Sequence, residues 1–322
     1  MLKIGVVGSG HLGKVHIKIL KNVDFVELVG FYDIDKEVSV SVEKEMKVKA
    51  FNGLDELIND CDIIDIVTPT LNHFETAQIA LKHSKHIFIE KPVTHTLNEV
   101  KELIKLSEEA SVKAQVGHVE RFNPAFSKAK KYIKKPKFIE THRLASFNPR
   151  GTDVSVVLDL MIHDLDIILN IIKQPIQMIQ ANGVSIISES ADIANARIEF
   201  MDGCVANITA SRMSLKNMRK SRFFQNNAYI SIDFLDKKFE YISMEDVSEP
   251  DPFLPIIDLG IKGKKQIKIK NESPKDANAI EEELKSFVNC IENNLDPEVS
   301  LHSAQQSLKL ALDIEEKISD TI

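Results

Sequence analysis

The chain has 322 residues, 43% of them apolar and 28% charged, with a net charge of −7. That length exceeds one ordinary core and suits two domains, while the acidic balance argues against nucleic acid or an anionic membrane as partner. Cys61, Cys204 and Cys290 are odd in number and far apart, so they spell neither a disulfide framework nor a zinc site. The apolar start, Met1 to Val7, meets Gly8 too soon for a signal peptide, and no run is long enough to span a bilayer. The expectation is a cytoplasmic, two-domain protein.

Strands are predicted over 2–7, 26–32, 47–51, 63–67, 86–89 and 113–116, with helices over 12–20, 74–83 and 98–110 between most of them. Strands alternating with helices imply right-handed βαβ units and a parallel sheet, an α/β fold. Beyond Pro124 the pattern changes to a basic helix over 125–135, a strand over 138–147 and a long helix near 154–172. The lysines of 128–137 read as a solvated helix face. Strands over 194–200 and 204–211 flank Met201-Asp202-Gly203, where Asp-Gly marks a tight hairpin. Strands over 222–224 and 229–234 flank Asn226-Asn227, a second turn that tolerates positive φ. Further strands over 239–242 and 266–269 enclose a loop over 249–263, and helices over 279–292 and 302–318 close the chain. This half reads as an α+β domain with a mostly antiparallel sheet.

Gly8-Ser9-Gly10-His11-Leu12-Gly13 lies between the first strand and the first helix. Its glycines permit the tight turn, close approach of a pyrophosphate and close helix–strand packing, and the helix N-terminus offers N–H groups to phosphate. Asp33 ends the next strand twenty residues after Gly13, where a ribose hydroxyl is bound in such sites. A carboxylate there repels the 2′-phosphate of NADP, which favours NAD; Lys36 keeps NADP open.

Glu90-Lys91-Pro92 follows the apolar run 86–89. Such a strand belongs inside a parallel sheet, and Pro92 cannot continue its ladder. Lys91 is therefore placed at the carboxyl end of a buried strand, where open α/β sheets bind ligands. It can hold a cofactor or move a proton. In the apolar helix over 156–170, Asp159, His163, Asp166 and Asn170 fall on one stripe at 3.6 residues per turn. Asp159 and His163, four apart, can pair and hold the imidazole as a base. A solvated polar face, a core histidine or an Asp–His–Asp metal site gives the same stripe. No third segment supplies matching ligands, so no metal is expected.

These residues resemble the glucose-fructose oxidoreductase/inositol dehydrogenase/MocA family of NAD(P)-dependent oxidoreductases along almost the whole chain. The motifs are the Gly8–Gly13 loop, Thr68-Pro69-Thr70 with His73, Glu90-Lys91-Pro92, Arg121-Phe122-Asn123-Pro124 and Asp159 with His163. The resemblance implies a Rossmann domain over 1–122 and, over 123–322, a substrate-binding and oligomerisation α+β domain with a large, mostly antiparallel open sheet. It implies Lys91, Asp159 and His163 as the catalytic group, with Lys91 beside the nicotinamide. His11, Leu12, Thr68, Pro69, His73 and Glu90 join the glycines and Asp33 around the cofactor. It also implies homodimers or homotetramers through the second sheet.

The stretches Gly117 to Ala125 and Val157 to Asp164 are similar to members that act as UDP-N-acetylglucosamine 3-dehydrogenases. Arg121, Asn123, Arg143 and Arg150 are the substrate candidates, and Arg212, Lys216, Arg219, Lys220 and Arg222 form a further basic cluster. A diphosphate needs such cations, and Arg fits it with a planar fork. The favoured function is oxidation of the C3 hydroxyl of a UDP-N-acetyl-hexosamine by NAD. Free sugars, inositols or cyclic diols are the alternative substrates. A catalytically inactive, dinucleotide-sensing regulator is the alternative of another class, and NAD-assisted glycoside hydrolysis is a fourth reading.

Overall fold

The computed structural model describes residues 1–148, 154–249, 251–274 and 277–319. The chain divides into two compact units, Met1–Val119 with Asn278–Lys309, and Glu120–Ala277 with Leu310–Ile322.

The first unit carries five parallel strands, β1 (Lys3–Val7), β2 (Glu27–Tyr32), β3 (Ile63–Ile66), β4 (His86–Glu90) and β5 (Ala114–Gly117). Their order is β2-β1-β3-β4-β5, so the strand order reverses between β1 and β3. That reversal opens the crevice in which a doubly wound sheet binds its ligand. Helices α1 (His11–Leu20), α2 (Lys36–Met46), α3 (Leu54–Asp60), α4 (His73–Lys82) and α5 (Leu97–Glu109) alternate with the strands. Every residue of β3 is buried, as a central parallel strand requires. The strand predicted over 47–51 is reduced to a single bridge, Phe31 to Ala50. Lys47 caps α2 with a left-handed φ of 54° and Gly53 already caps α3, which leaves too few residues for a ladder.

The second unit holds a nine-stranded sheet in the order β13-β14-β12-β11-β10-β6-β9-β8-β7. Its strands are β6 (Phe138–Leu144), β7 (Ile176–Val184), β8 (Ile193–Phe200), β9 (Val205–Ser211), β10 (Met218–Gln225), β11 (Ala228–Asp233), β12 (Lys238–Val247), β13 (Ile256–Asp258) and β14 (Lys264–Glu272). Among the described residues of this sheet, β6 and β9 pair in parallel and the other neighbours antiparallel. Both hairpin turns form where the sequence places them, with Gly203 at φ 82° and Asn227 at φ 57°. The two strands that the sequence reading misses, β7 and β13, are the sheet's edges, where burial imposes no clean alternation.

Helices α6 (Pro124–Ala129) and α7 (Ile162–Ile171) complete the second unit, while α8 (Ala279–Glu292) belongs to the first. The division thus differs from a single break at residue 122. Leu284, Phe287 and Val288 of α8 join Ile4, Val6, Ile17 and Phe88 in one buried core. Burying that apolar face outweighs sequence distance. α9 (Leu301–Ser319) follows, its residues shared between the two units at Lys309.

Gly13 makes the closest backbone approach of the loop after β1, since a Cβ there would lie 2.1 Å from the Gly8 carbonyl oxygen. Backbone cannot yield as a flexible side chain does. Gly13→Ala is therefore expected to destabilise the chain by about 3 kcal/mol, read by urea unfolding.

Candidate active site

In the first unit a cavity of about 690 Å³ opens at the carboxyl ends of the strands. Gly8, Gly10, His11, Leu12, Asp33, Thr68, Pro69, Glu90 and Lys91 line it. Gly8 has φ 95°, and a Cβ would stand 2.7 Å from the Val67 carbonyl oxygen. A Cβ on Gly10, by contrast, meets nothing within 4 Å, so the loop has open space above it. Gly10 caps α1 without a side-chain hydrogen bond, leaving first-turn N–H groups for an anion. These features fit a dinucleotide's pyrophosphate.

Asp33 is aimed by Ser9, whose backbone N–H and hydroxyl donate to Oδ2 at 2.7 and 2.8 Å. The Asp35 N–H donates to Oδ1 at 3.0 Å. Asp35 itself is spent as the cap of α2. Two expected cofactor residues lie outside the lining. Gly13 is packing against Gly8, and His73 is buried with Nδ1 2.8 Å from the Pro92 carbonyl oxygen and Nε2 2.9 Å from that of Thr68. His73 thereby ties the loop after β3 to the loop after β4, and burial lowers its pKa.

The sequence reading missed two buried groups of this unit. His16 on α1 sets Nδ1 2.8 Å from Asp65 Oδ2 and Nε2 3.3 Å from Glu90 Oε1. Burial lowers the His16 pKa, but the two carboxylates outweigh it and push it up to about 10. Burial raises Asp65. Glu90 is lowered despite its burial, because His16 and the Lys91 N–H, which donates to Oε2 at 3.1 Å, stabilise the carboxylate. The signal was available, since an aspartate in an otherwise apolar parallel strand must find a partner.

In the second unit, Asp159 lies in a π turn (Val157–Met161) that precedes α7, and His163 in the first turn of α7; both are half-buried. The π turn breaks the 3.6-residue stripe expected to run from Asp159 to Asn170. Two acids of this helix turn inward to arginine. Arg121 donates from Nε and Nη2 to Asp166 at 2.6 and 2.5 Å. Arg143 donates from Nε to Asp164 at 2.7 Å and from Nη1 to Glu120 at 2.8 Å. Both arginines are buried.

Asn123 is buried as well, capping α6 at the Ala125 N–H and donating to the carbonyl oxygen of Phe234 at 2.9 Å. Arg121, Asn123 and Arg143, expected at the substrate, thus have their polar groups engaged inside the unit. Arg150 lies outside the described residues. Arg212 is buried against the Val154 carbonyl oxygen, whereas Lys216 and Arg219 are exposed. Among the described residues no group of His, Cys, Asp or Glu is arranged to hold a metal ion, and no helix is long and apolar enough to cross a membrane.

Residues 2–118 match the oxidoreductase family with an NAD-binding Rossmann fold, and residues 116–229 match the GFO/IDH/MocA C-terminal domain. A UDP-N-acetylglucosamine 3-dehydrogenase of Acidithiobacillus ferrooxidans is 36% identical over 240 residues, 73% of this chain and 75% of that protein. The chain belongs to the GFO/IDH/MocA family. A solved structure of the Acidithiobacillus ferrooxidans enzyme superposes with a TM-score of 0.89 at 29% identity, covering 99% of this chain and 98% of that one. A myo-inositol 2-dehydrogenase of Thermotoga maritima is 27% identical over 66% of this chain and 70% of that protein. As a GFO/IDH/MocA member the protein is an NAD-binding oxidoreductase, a dehydrogenase acting on CH–OH groups.

Proposed function

We propose that the protein oxidises the C3 hydroxyl of a UDP-N-acetyl-hexosamine with NAD. The observation that carries this reading is the likeness to the UDP-N-acetylglucosamine 3-dehydrogenase, 36% identical in sequence and similar in fold over 99% of this chain. Bound NAD supplies the hydride acceptor. Lys91 donates a hydrogen bond to the reacting oxygen and stabilises the charge that develops on it. His163, with Asp159 as its orienting carboxylate, takes the hydroxyl proton. Asp33 binds the adenosine ribose through its hydroxyls.

The diphosphate is assigned to the exposed Lys216 and Arg219, the latter paired with Glu120 only at 3.6 Å, rather than to the buried Arg121 and Arg143, whose forks are closely engaged by carboxylates. A homodimer or homotetramer through the nine-stranded sheet is part of the reading. Glu140, His142, Asn195 and Arg197 give that sheet an open polar groove of about 410 Å³. Dehydrogenation of free inositols is the second reading, favoured by the myo-inositol 2-dehydrogenase relative.

Incubation with NAD⁺ and a panel of UDP-sugars, free sugars and inositols separates the two by NADH absorbance. Turnover of UDP-N-acetylglucosamine well above every free sugar is expected. Turnover of inositols with none of any UDP-sugar overturns the nucleotide assignment.

A further inference from the structure

We propose that His16 is a positioning residue that, clamped by Asp65, holds Glu90 as an oriented anion in the cofactor cavity, and that this carboxylate strengthens the binding of NAD⁺ relative to NADH. The inference rests on the dinucleotide reading of that cavity and not on any particular sugar. Asp33 follows β2, whereas Glu90 ends β4 and Lys91 follows it, on the other side of the glycine loop. With the adenosine ribose at Asp33 and the pyrophosphate on the loop, the nicotinamide half extends toward β4. Glu90 lines the cavity there although only 7% of its surface is exposed.

A carboxylate this deep is costly unless it is paired. Oε1 lies 3.3 Å from His16 Nε2, an ion-pair contact without hydrogen-bond alignment, and Oε2 accepts a hydrogen bond from the Lys91 N–H. Behind it, a Cβ on Gly117 would press within 2.8 Å of the carboxyl group, so the space is filled. His16 is 0% exposed, and Asp65, also 0% exposed, holds its far nitrogen.

The charged and titratable groups around Glu90 are thus His16 from α1, Asp65 from β3, Lys91 beside it and His73 from α4, whose ring also feels the Glu90 charge. His16 and the Lys91 ammonium balance the cluster's carboxylates in overall charge, so what tells the two cofactor forms apart is the single Glu90 carboxylate that lines the cavity. The nicotinamide ring is cationic when oxidised and neutral when reduced. A fixed anion at that end therefore separates the two forms by electrostatics. Because the His16 pKa is about 10, the anion persists through neutral and mildly alkaline pH. The same carboxylate holds the Lys91 peptide and thereby the base of its side chain.

Dissociation constants for NAD⁺ and NADH, measured calorimetrically on the full chain at pH 6, 7.5 and 9, test this. The wild type should keep one NAD⁺/NADH preference across that range. In His16→Gln the Glu90 carboxyl loses its cation, its pKa rises by burial, and it is protonated at low pH. NAD⁺ affinity should then fall about tenfold at pH 6, with NADH affinity within about twofold, and the gap should close toward pH 9. Glu90→Gln, which leaves the helix untouched, should show the same loss at every pH, and serves if His16→Gln does not fold. Equal, pH-independent losses for both cofactor forms in these variants would mean a merely structural role and overturn the proposal. A wild type that oxidises no sugar defeats the proposed function and leaves this binding result intact.

Discussion

Lys91→Ala is expected to lower kcat by about 10³-fold while the dissociation constant for NADH stays within about threefold. The asymmetry follows from where Lys91 sits. It closes β4 in the cofactor cavity, whereas the phosphate cradle is built from Gly8, Gly10 and the start of α1. A group that acts mainly on charge developing at the reacting oxygen is missed in the transition state and hardly at all in cofactor binding. Single-turnover absorbance at 340 nm and NADH fluorescence read the two quantities separately. A variant that keeps most of its turnover would show that Lys91 is no part of the chemistry. A wild type that binds NADH but turns over nothing would favour the dinucleotide-sensing regulator. The partner experiment assigns the proton. If His163 is the base, His163→Asn abolishes the acid limb of kcat/KM, and Lys91→Ala leaves that limb in place.

Arg143→Leu is expected to cost about 3–5 kcal/mol of folding stability, the largest loss from any single substitution considered in the second unit. Arg143 is the buried cation between Glu120 at 2.8 Å and Asp164 at 2.7 Å. Removing it takes the main partner from the buried Asp164 and leaves the buried Glu120 with the Asn123 amide at 3.1 Å and Arg219 at 3.6 Å. Burial already raises the Asp164 pKa even with Arg143 present, and its loss removes the main opposing attraction. A carboxyl whose folded pKa lies above its unfolded value binds more protons when folded, so acid favours the fold. The deficit of the variant relative to wild type should therefore shrink as pH falls from about 7 toward 5. Urea unfolding across that range measures it. If Arg143 instead serves the substrate, the variant keeps wild-type stability and loses only KM for the nucleotide sugar, which would reverse the assignment.

The family's characteristic site features were legible locally because they are local in cause. A glycine loop between strand and helix, an acid at the next strand's end and a lysine after an apolar run each depend on neighbours within a few residues. The Asp-Gly and Asn-Asn hairpins were legible for the same reason, since the turn chemistry alone selects a positive φ. The candidate site was harder to read where a side chain had a choice of partner. Arg121 and Arg143 have the fork that phosphate needs, yet that fork suits a carboxylate equally well.

Tertiary packing made that choice by bringing Asp164 and Asp166 inward, and a π turn at Val157–Met161 broke the single polar stripe that a regular helix would have shown. Packing also drew α8 back into the first unit and reduced 47–51 to one bridge. It gathered His16, Asp65 and Glu90, 49 residues apart for the first two, into one buried ionic cluster. Periodicity and turn residues thus determined the α/β frame and the dinucleotide crevice. Which charges face the ligand and which neutralise one another was decided only in the fold, because a buried charge takes whichever opposite charge the packed chain sets beside it.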